Sequence, residues 1–297
     1  MPTRRLIQAA VCAFCVLLFS PALFAVELSG EAIQGGLIFG KTSPGNSVLL
    51  DGKAVMVSAQ GEFVIGFGRD EKGTRSLLIR DPGGQEESVS LPIALRDYQI
   101  ERVDGLPPKT VTPDPEAAER IRQEGAMVAN ARARRDERTD FDDGFAWPAA
   151  GRISGVYGSQ RVLNGEPRRP HFGLDIAAPT GSPVYAPADG IITMAHPDMY
   201  FSGGTIILDH GQGLSSSFLH LSKILVEAGT AVKKGDLIAE ICATGRSSGP
   251  HLDWRMNWLY RRVDPQWLVQ GTPQTNPAKK SDVRESSRRT GAPAPAT

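Results

Sequence analysis

Residues 247–258, SSGPHLDWRMNW, contain a turn signal followed at once by alternation of polar and apolar residues. The turn signal is Ser248-Gly249-Pro250. After it, polar side chains occupy every second position from His251 to Asn257, with apolar side chains between them. Because side chains in a strand alternate between its two faces, the stretch predicts a strand with an apolar back and a polar front.

The same kind of pattern extends over residues 147–271 and over residues 26–104. Short apolar or alternating runs are separated by Gly, Pro, Asn and Asp turns, and residues 147–271 show no strong 3.6-residue period. The fold class is therefore predicted to be mainly β. The tight, regular spacing of the runs in 26–104 predicts a small β-sandwich, joined through a helix to a second β domain at 147–271. Residues 44–68, PGNSVLLDGKAVMVSAQGEFVIGFG, resemble the Ig-like modules of secreted bacterial proteins, which implies that this sandwich is Ig-like.

The first 25 residues have the features of a signal peptide. Arg4 and Arg5 precede an apolar core at 6–19, which is short for a membrane span, and small residues lead to a cleavage site after Ala25. We therefore expect export to the periplasm by the Sec route, with Thr3-Arg4-Arg5 as a weak indication of twin-arginine export. An uncleaved membrane anchor is the alternative.

Two further segments differ from the β-rich ones. Residues 105–146 form a linker in which a Pro-rich connector precedes a highly charged helix over 116–138, with Asp114 as its predicted cap. Residues 272–297 have almost no aliphatic side chains and carry an excess of basic ones, which predicts a disordered basic tail. The formal net charge of the chain is zero, so nothing indicates a nucleic-acid partner.

All five histidines of the chain lie after residue 170, which is a mild indication of metal or acid–base chemistry. In HFGLD, a strand would place His171, Gly173 and Asp175 on one face. A histidine and a carboxylate together suit a catalytic divalent metal. A structural hydrogen bond between His171 and Asp175 explains the spacing equally well, and a lone histidine such as His220 in FLHLS is usually a half-buried residue.

The ordered set of motifs resembles one family. HFGLDIAAPTGSPVYAPADGIIT, LDHGQG, FLHLSKILVEAGTAVKKGDLIAE and ATGRSSGPHLDW are similar, in this order, to the lysostaphin/LytM-type zinc metalloendopeptidases, over roughly residues 147–270. The resemblance implies a LytM-type antiparallel β-sandwich (a duplicated hybrid motif) with a groove over one sheet. It also implies a hydrolase that acts on peptidoglycan peptides of the cell wall.

The resemblance also implies roles for individual residues. His171 and Asp175 match the first two zinc ligands, and His220 and His251 match the histidines that flank the metal and assist catalysis. The third zinc ligand of the family is a histidine, and this chain has Asp253 in its place. A carboxylate remains a ligand type for Zn2+, and the more negative set also suits Mn2+ or another oxygen-preferring ion.

Two other functions stay open at this point. Arg255 shares the predicted strand face with Asp253, and an ion pair between them would divert the carboxylate from a metal. The chain would then be a non-catalytic LytM-type protein that binds peptidoglycan or activates amidases, which makes other cell-wall hydrolases its partners. A biotinyl or lipoyl carrier domain shares parts of the pattern, but the chain lacks the lysine tripeptide that such a domain modifies.

Overall fold

A computed structural model describes residues 26–103, 117–163 and 165–273. The predicted signal peptide, the Pro-rich connector with the cap at Asp114, and the tail beyond residue 273 lie outside the described residues. Within the described ranges, no helix combines the length and apolarity needed to cross a membrane.

The N-terminal part forms two small antiparallel sheets. Its strands are β1 (Glu27–Gly30), β2 (Leu37–Lys41), β3 (Ser47–Leu50), β4 (Lys53–Val55), β5 (Glu62–Gly66), β6 (Thr74–Arg80), β7 (Glu86–Pro92) and β8 (Ile100–Val103). One sheet has the order β1-β2-β5 and the other β4-β3-β6-β7. The large side chains Phe63, Phe67 and Leu77 are fully buried. The part is β-rich as predicted, and its Ig-like character stays a prediction.

The charged helix is present as α1 (Ala118–Ala131), shorter than the predicted 116–138. Val128 and Ala131 pack on an apolar patch of the C-terminal part. The helix ends at Ala131, with Arg132 as its C-cap, and the residues that follow bond elsewhere. The backbone carbonyl of Asp136 accepts from Gln212, and the amide of Asp140 donates to the carbonyl of His210. These tertiary bonds replace the next helical turn.

The C-terminal part is built on one antiparallel network of ten strands. The elements after α1 are β9 (Arg152–Gly155), β10 (Gln160–Leu163), β11 (Glu166–Pro167), β12 (Leu174–Ala177), β13 (Pro183–Tyr185), β14 (Gly190–Met199), β15 (Gly203–Asp209), β16 (Leu214–Ile224), β17 (Ala231–Val232), β18 (Leu237–Ile241), β19 (His251–Trp258), β20 (Arg261–Val263) and a 3-10 helix (Pro265–Leu268). The main path is β17-β14-β15-β16-β19-β12-β9, with β18, β13 and β20 attached at its side. The mainly β prediction is confirmed.

Strand β19 lies in the middle of this network, between β16 and β12. The apolar back predicted from its alternation is buried: Leu252, Trp254 and Met256 are fully inaccessible. Its polar face carries Asp253, which stands opposite Asp175 of β12 in the register. The strand therefore brings two carboxylates from distant parts of the chain side by side.

The two β-rich parts share one hydrophobic core rather than forming separate ones. Gly66 illustrates the contact, because a Cβ there would lie 2.9 Å from Cβ of Trp258. The amide of Asp264 donates to the carbonyl of Gly35 across the same boundary. Strand β8 of the N-terminal part pairs in parallel with β10 of the C-terminal part, so backbone hydrogen bonds between strands also join the two parts. The domain limits derived from the sequence stay predictions.

One buried histidine makes the stability of this fold sensitive to pH. The His210 ring is inaccessible, its Nδ1 lies 2.7 Å from the carbonyl oxygen of Asp189, and its Nε2 lies 2.8 Å from Oγ of Ser216. A carbonyl can only accept, so Nδ1 carries the hydrogen and Nε2 accepts from the hydroxyl. Burial lowers the pKa of His210 from 6.5 to about 4, against the opposing bond to Asp189.

We therefore expect His210 to destabilise the protein as the pH falls. The unfolded chain takes up a proton near pH 6.5, whereas the folded chain takes it up only near pH 4, so stability is present above pH 6.5 and is lost towards pH 4. The loss between pH 7 and pH 5 is about 2 kcal/mol. Urea unfolding of the wild type and of His210→Gln at both pH values isolates this contribution. Equal pH slopes in the two proteins would contradict it.

Candidate metal centre and its flanking histidines

Three of the predicted site residues converge in space. His171, Asp175 and Asp253 each offer one potential ligand atom, and these atoms lie within 4.8 Å of one another. Asp175 and Asp253 are cross-strand neighbours on β12 and β19. Nε2 of His171 lies 3.1 Å from Oδ1 of Asp175. Sheet pairing therefore assembles a candidate metal centre from residues about 80 positions apart in the sequence.

The local conformation at His171 differs from the prediction. Strand β12 begins at Leu174, so His171 and Gly173 precede the strand instead of belonging to it. The backbone of His171 is held by two bonds to the segment before β10: its amide donates to Ser159 and its carbonyl accepts from Gly158. This segment fixes the position from which the imidazole reaches Asp175.

The polar atoms of this centre fit a divalent ion. Nε2 of His171 and Oδ1 of Asp175 are both buried, and neither has a hydrogen-bond partner of acceptable geometry among the described residues. Buried polar atoms normally have a partner, and a coordinated cation would satisfy both atoms. One imidazole nitrogen and two carboxylates form a donor set suited to zinc or manganese.

Asp253 is held tightly by its neighbour on the same strand face. Nε of Arg255 lies 3.0 Å from each carboxylate oxygen of Asp253, and Nη2 lies 2.5 Å from Oδ2. Burial alone would raise the pKa of Asp253, but the attraction of Arg255 outweighs it and lowers that pKa. The carboxylate is therefore ionised. Each of its oxygens has more than one lone pair, so the ion pair leaves acceptor capacity for a cation.

Two glycines make room for the carboxylates. A Cβ added at Gly173 would lie 2.1 Å from Oδ1 of Asp253 and 2.7 Å from Cγ of Arg255. A Cβ at Gly155 would lie 2.3 Å from Oδ2 of Asp175. None of these three distances is compatible with unshifted Asp175, Asp253 and Arg255 side chains. Glycine at these positions is thus required by the position of the two carboxylates.

We expect Gly173→Ala to impair metal binding without unfolding the protein. The new methyl group must push Asp253 and Arg255 away from their present positions, and disturbing the support of a ligand typically costs about 10- to 100-fold in metal affinity. The measurement is a chelator competition titration with zinc. Gly125→Ala is the matched control, because nothing lies within 4 Å of its added Cβ. Unchanged affinity in Gly173→Ala would contradict the packing argument.

The two remaining predicted residues, His220 and His251, flank the centre. Their ring centroids are 4.8 Å apart, and Nε2 of His251 lies 3.7 Å from Oδ1 of Asp175. Nδ1 of His220 lies 2.7 Å from the carbonyl oxygen of Thr244, and Nδ1 of His251 lies 2.8 Å from that of Gly249. Each Nδ1 therefore donates to a carbonyl, so the lone pair of the neutral imidazole is on Nε2 in both residues.

His220 has an unusual backbone conformation. Its φ of 64° is in the left-handed region, which costs a residue with a side chain about 1 kcal/mol. The conformation is held from both sides, because its amide donates to Ser202 and its carbonyl accepts from Cys242. Burial lowers the pKa of the His220 ring, against the opposing bond to Thr244, so the ring is neutral at pH 7.

The remaining histidines do not belong to this centre. His196 is on β14, where its Nδ1 accepts from the amide of Asp198. His210 is the buried residue described above.

A group of arginines beside Asp253 is not predicted from the sequence. Arg132 at the end of α1 donates to Oγ of Ser217, and Arg262 of β20 donates to Oδ1 of Asn257. No local pattern marks Arg132, because only the docking of α1 brings it to the sheet.

Comparison with known proteins gives a consistent picture. The model of Peptidase family M23 matches residues 169–265. A crystal structure of a Pseudomonas aeruginosa protein assigned to peptidase M23 is 30% identical, with a TM-score of 0.62, over 80% of this chain and 95% of that chain. The matched family region contains all five residues of the centre and its flanks.

Two curated relatives have named activities. The peptidoglycan DD-endopeptidase ShyB of Vibrio cholerae serotype O1 is 42% identical over 97 residues, which cover 32% of this chain and 22% of ShyB. The DD-carboxypeptidase/endopeptidase Mpg of Neisseria meningitidis serogroup B is 35% identical over 113 residues, or 38% of this chain and 26% of Mpg. The chain thus matches about a quarter of the length of these relatives.

Proposed function

The chain belongs to peptidase family M23, as its motifs predict, and on this basis we propose that it is a metal-dependent endopeptidase that hydrolyses peptide cross-links of peptidoglycan. The observation that carries the proposal is the convergence of His171, Asp175 and Asp253 beside two histidines with available Nε2 atoms. The activities named for the similar ShyB and Mpg proteins support the substrate class.

In the proposed mechanism, His171, Asp175 and Asp253 would hold the metal, which would be Zn2+ or, given two carboxylates, Mn2+. When bound, the ion would supply Lewis acidity towards the peptide carbonyl and the attacking water. Arg255 keeps the Asp253 carboxylate ionised and oriented. Gly173 leaves the space that this orientation needs.

His220 and His251 supply the proton transfers. Because each Nδ1–H is fixed on a carbonyl, each Nε2 is oriented with its lone pair available. One Nε2 takes the proton from the attacking water and later returns it to solvent, and the other, protonated beforehand from solvent, donates to the oxyanion or to the leaving amine. The 4.8 Å between the ring centroids allows both to act on one bound peptide.

A second function is supported by the ion pair itself. Arg255 contacts both oxygens of Asp253, which is the arrangement that would divert the carboxylate from a metal. The chain would then be a non-catalytic LytM-type protein that binds peptidoglycan or activates amidases. We favour the enzyme, because Nε2 of His171 and Oδ1 of Asp175 are buried without a hydrogen bond of acceptable geometry among the described residues, and a cation between them would satisfy both atoms.

One experiment separates the two functions. The protein purified without chelators is analysed for bound metal and incubated with peptidoglycan, and new amino termini are counted. The endopeptidase requires about one zinc or manganese ion per chain and a release of amino termini that a chelator stops. Absence of both metal and release would establish the non-catalytic function instead.

We also propose a cellular location and partners. The predicted signal peptide at 1–25 would take the chain to the periplasm, where peptidoglycan lies. Peptidoglycan peptides are the proposed partners, with other cell-wall hydrolases as partners in the non-catalytic case. Fractionation of cells that express the full chain tests the location.

A further inference from the structure

Three arginines lie beside the metal centre, on or against the polar face of the sheet. We call Arg132, Arg255 and Arg262 the arginine cluster. Arg255 follows Asp253 by two residues on the same face of β19, and its cross-strand neighbour on β16 is Ser217. Ser217 in turn accepts from Nη2 of Arg132 at 2.8 Å. The cluster therefore extends from the metal centre along β19.

The far end of the cluster is formed by β20 and α1. Arg262 stands opposite Asn257 in the register and donates to its Oδ1 at 2.7 Å. Arg132 reaches the same face from the end of α1. At about 3.4 Å per residue, Arg255 lies about 7 Å and Asn257 about 14 Å beyond Asp253 along β19. These are the distances between neighbouring groups of an extended peptide.

Donors in this region lack acceptors. Nε of Arg132 is buried without a hydrogen-bond partner, and so is Oγ of Ser215, which shares the strand face of Ser217. The hydroxyl groups of Ser215 and Ser217 lie on the same face of the sheet as the polar side chains of β19. Buried donors are normally paired, so this arrangement requires an acceptor that the described residues do not provide.

The positive charges of the cluster are not balanced. Burial, and then repulsion by Arg262, Arg255 and Arg169, lowers the pKa of Arg132 well below its usual value. Burial, Arg255 and Arg169 likewise lower the pKa of Arg262 to about 10. Asp253 is already engaged by Arg255 and is a candidate metal ligand. An anion bound among these groups would supply both the missing charge and the missing acceptor.

We propose that the arginine cluster is a subsite for a carboxylate of the substrate peptide, one to three residues from the bond placed at the metal centre. The planar fork of arginine matches a carboxylate, and peptidoglycan peptides carry free carboxylates close to their cross-links. This inference rests on the proposed function for the identity of the peptide. It assigns a specificity role to Arg132, a residue of the linker and not of the peptidase motifs.

The test compares one peptidoglycan stem peptide with versions in which each carboxylate is converted in turn to the carboxamide. Dissociation constants are measured by calorimetry on the metal-loaded full chain and again after chelation, because a carboxylate also binds metals. We expect at least one amidation to weaken binding by about tenfold or more, with and without metal. Arg132→Gln and Arg262→Gln should each reduce the ratio of dissociation constants, amidated peptide over free-carboxylate peptide, to about threefold or less.

Arg122→Gln is the matched control, because Arg122 lies on the exposed side of α1 and pairs only with Glu119 among its described contacts. It should keep the full ratio. Arg132→Lys, which retains the charge, should keep part of it, and melting curves show that each variant is folded. The proposal is overturned if all peptides bind equally or if none binds. It is also overturned if the ratio of dissociation constants falls to one on chelation, or if that ratio survives in both glutamine variants. Discrimination without cleavage would refute the endopeptidase and leave the carboxylate subsite intact.

Discussion

Replacing His171 by alanine is expected to abolish the release of amino termini from peptidoglycan, with a loss of at least about 1,000-fold in kcat/KM. The substitution removes the nitrogen ligand of the candidate centre, and the two remaining groups are carboxylates. A loss of this size corresponds to about 4 kcal/mol of transition-state stabilisation, which is of the order that metal activation supplies. Bound zinc should fall below about 0.1 ion per chain after dialysis.

His196→Ala is the control for this substitution. It removes an imidazole of the same sheet that lies outside the centre and accepts only a backbone bond from Asp198 among its described contacts. Its activity and metal content should equal those of the wild type. Retained hydrolysis in His171→Ala would show that the reaction does not use this centre. Retained metal with lost hydrolysis would place the ion elsewhere.

Strand β19 shows what the sequence can predict and where it stops. The alternation in 251–258 correctly assigns an apolar back, since Trp254 is fully buried. The same pattern suggests an open polar front, yet Asp253 is only 2% exposed. Alternation identifies which side chains share a face and carries no information about what packs on it. Arg132, more than 100 residues earlier in the chain, reaches that face only because α1 docks on β14.

In HFGLD the predicted proximity of two side chains is found, whereas the predicted strand conformation is not. His171 and Asp175 do come together, although only Asp175 belongs to a strand. Residues four apart can meet in a loop as well as along a strand, so spacing alone does not distinguish these conformations. The segment that fixes His171, residues 158–159, is distant from the motif and has no signal of its own.

The substitution that tests the unusual ligand is Asp253→Ala, and its expected effect is twofold. Metal affinity should fall by about 100-fold or more, because only two protein ligands remain. The protein should also lose about 2 to 4 kcal/mol of stability, because Arg255 is left without its buried partner. This loss is at the lower end of the range expected for breaking a buried ion pair, because the Arg255 side chain is 29% exposed. Chelator competition and urea unfolding measure the two effects separately.

The double variant Asp253→Ala/Arg255→Met separates the ligand role from the structural role. Removing both charges eliminates the unpaired arginine, so most of the lost stability should return. Metal affinity and hydrolysis should not return, because no oxygen ligand has been restored. Recovery of hydrolysis in the double variant would mean that Asp253 serves only to neutralise Arg255.

Arg255→Met alone decides whether the arginine orients the carboxylate or withholds it. If Arg255 positions Asp253 for the ion, its loss leaves a buried carboxylate that is stable only when metal is bound. The melting temperature of Arg255→Met should then fall on chelation by more than that of the wild type, and its metal affinity should not exceed that of the wild type. A rise in metal affinity would instead show that the ion pair competes with coordination. It would favour the non-catalytic function, because the wild-type arginine would then be the group that keeps the third ligand from the metal.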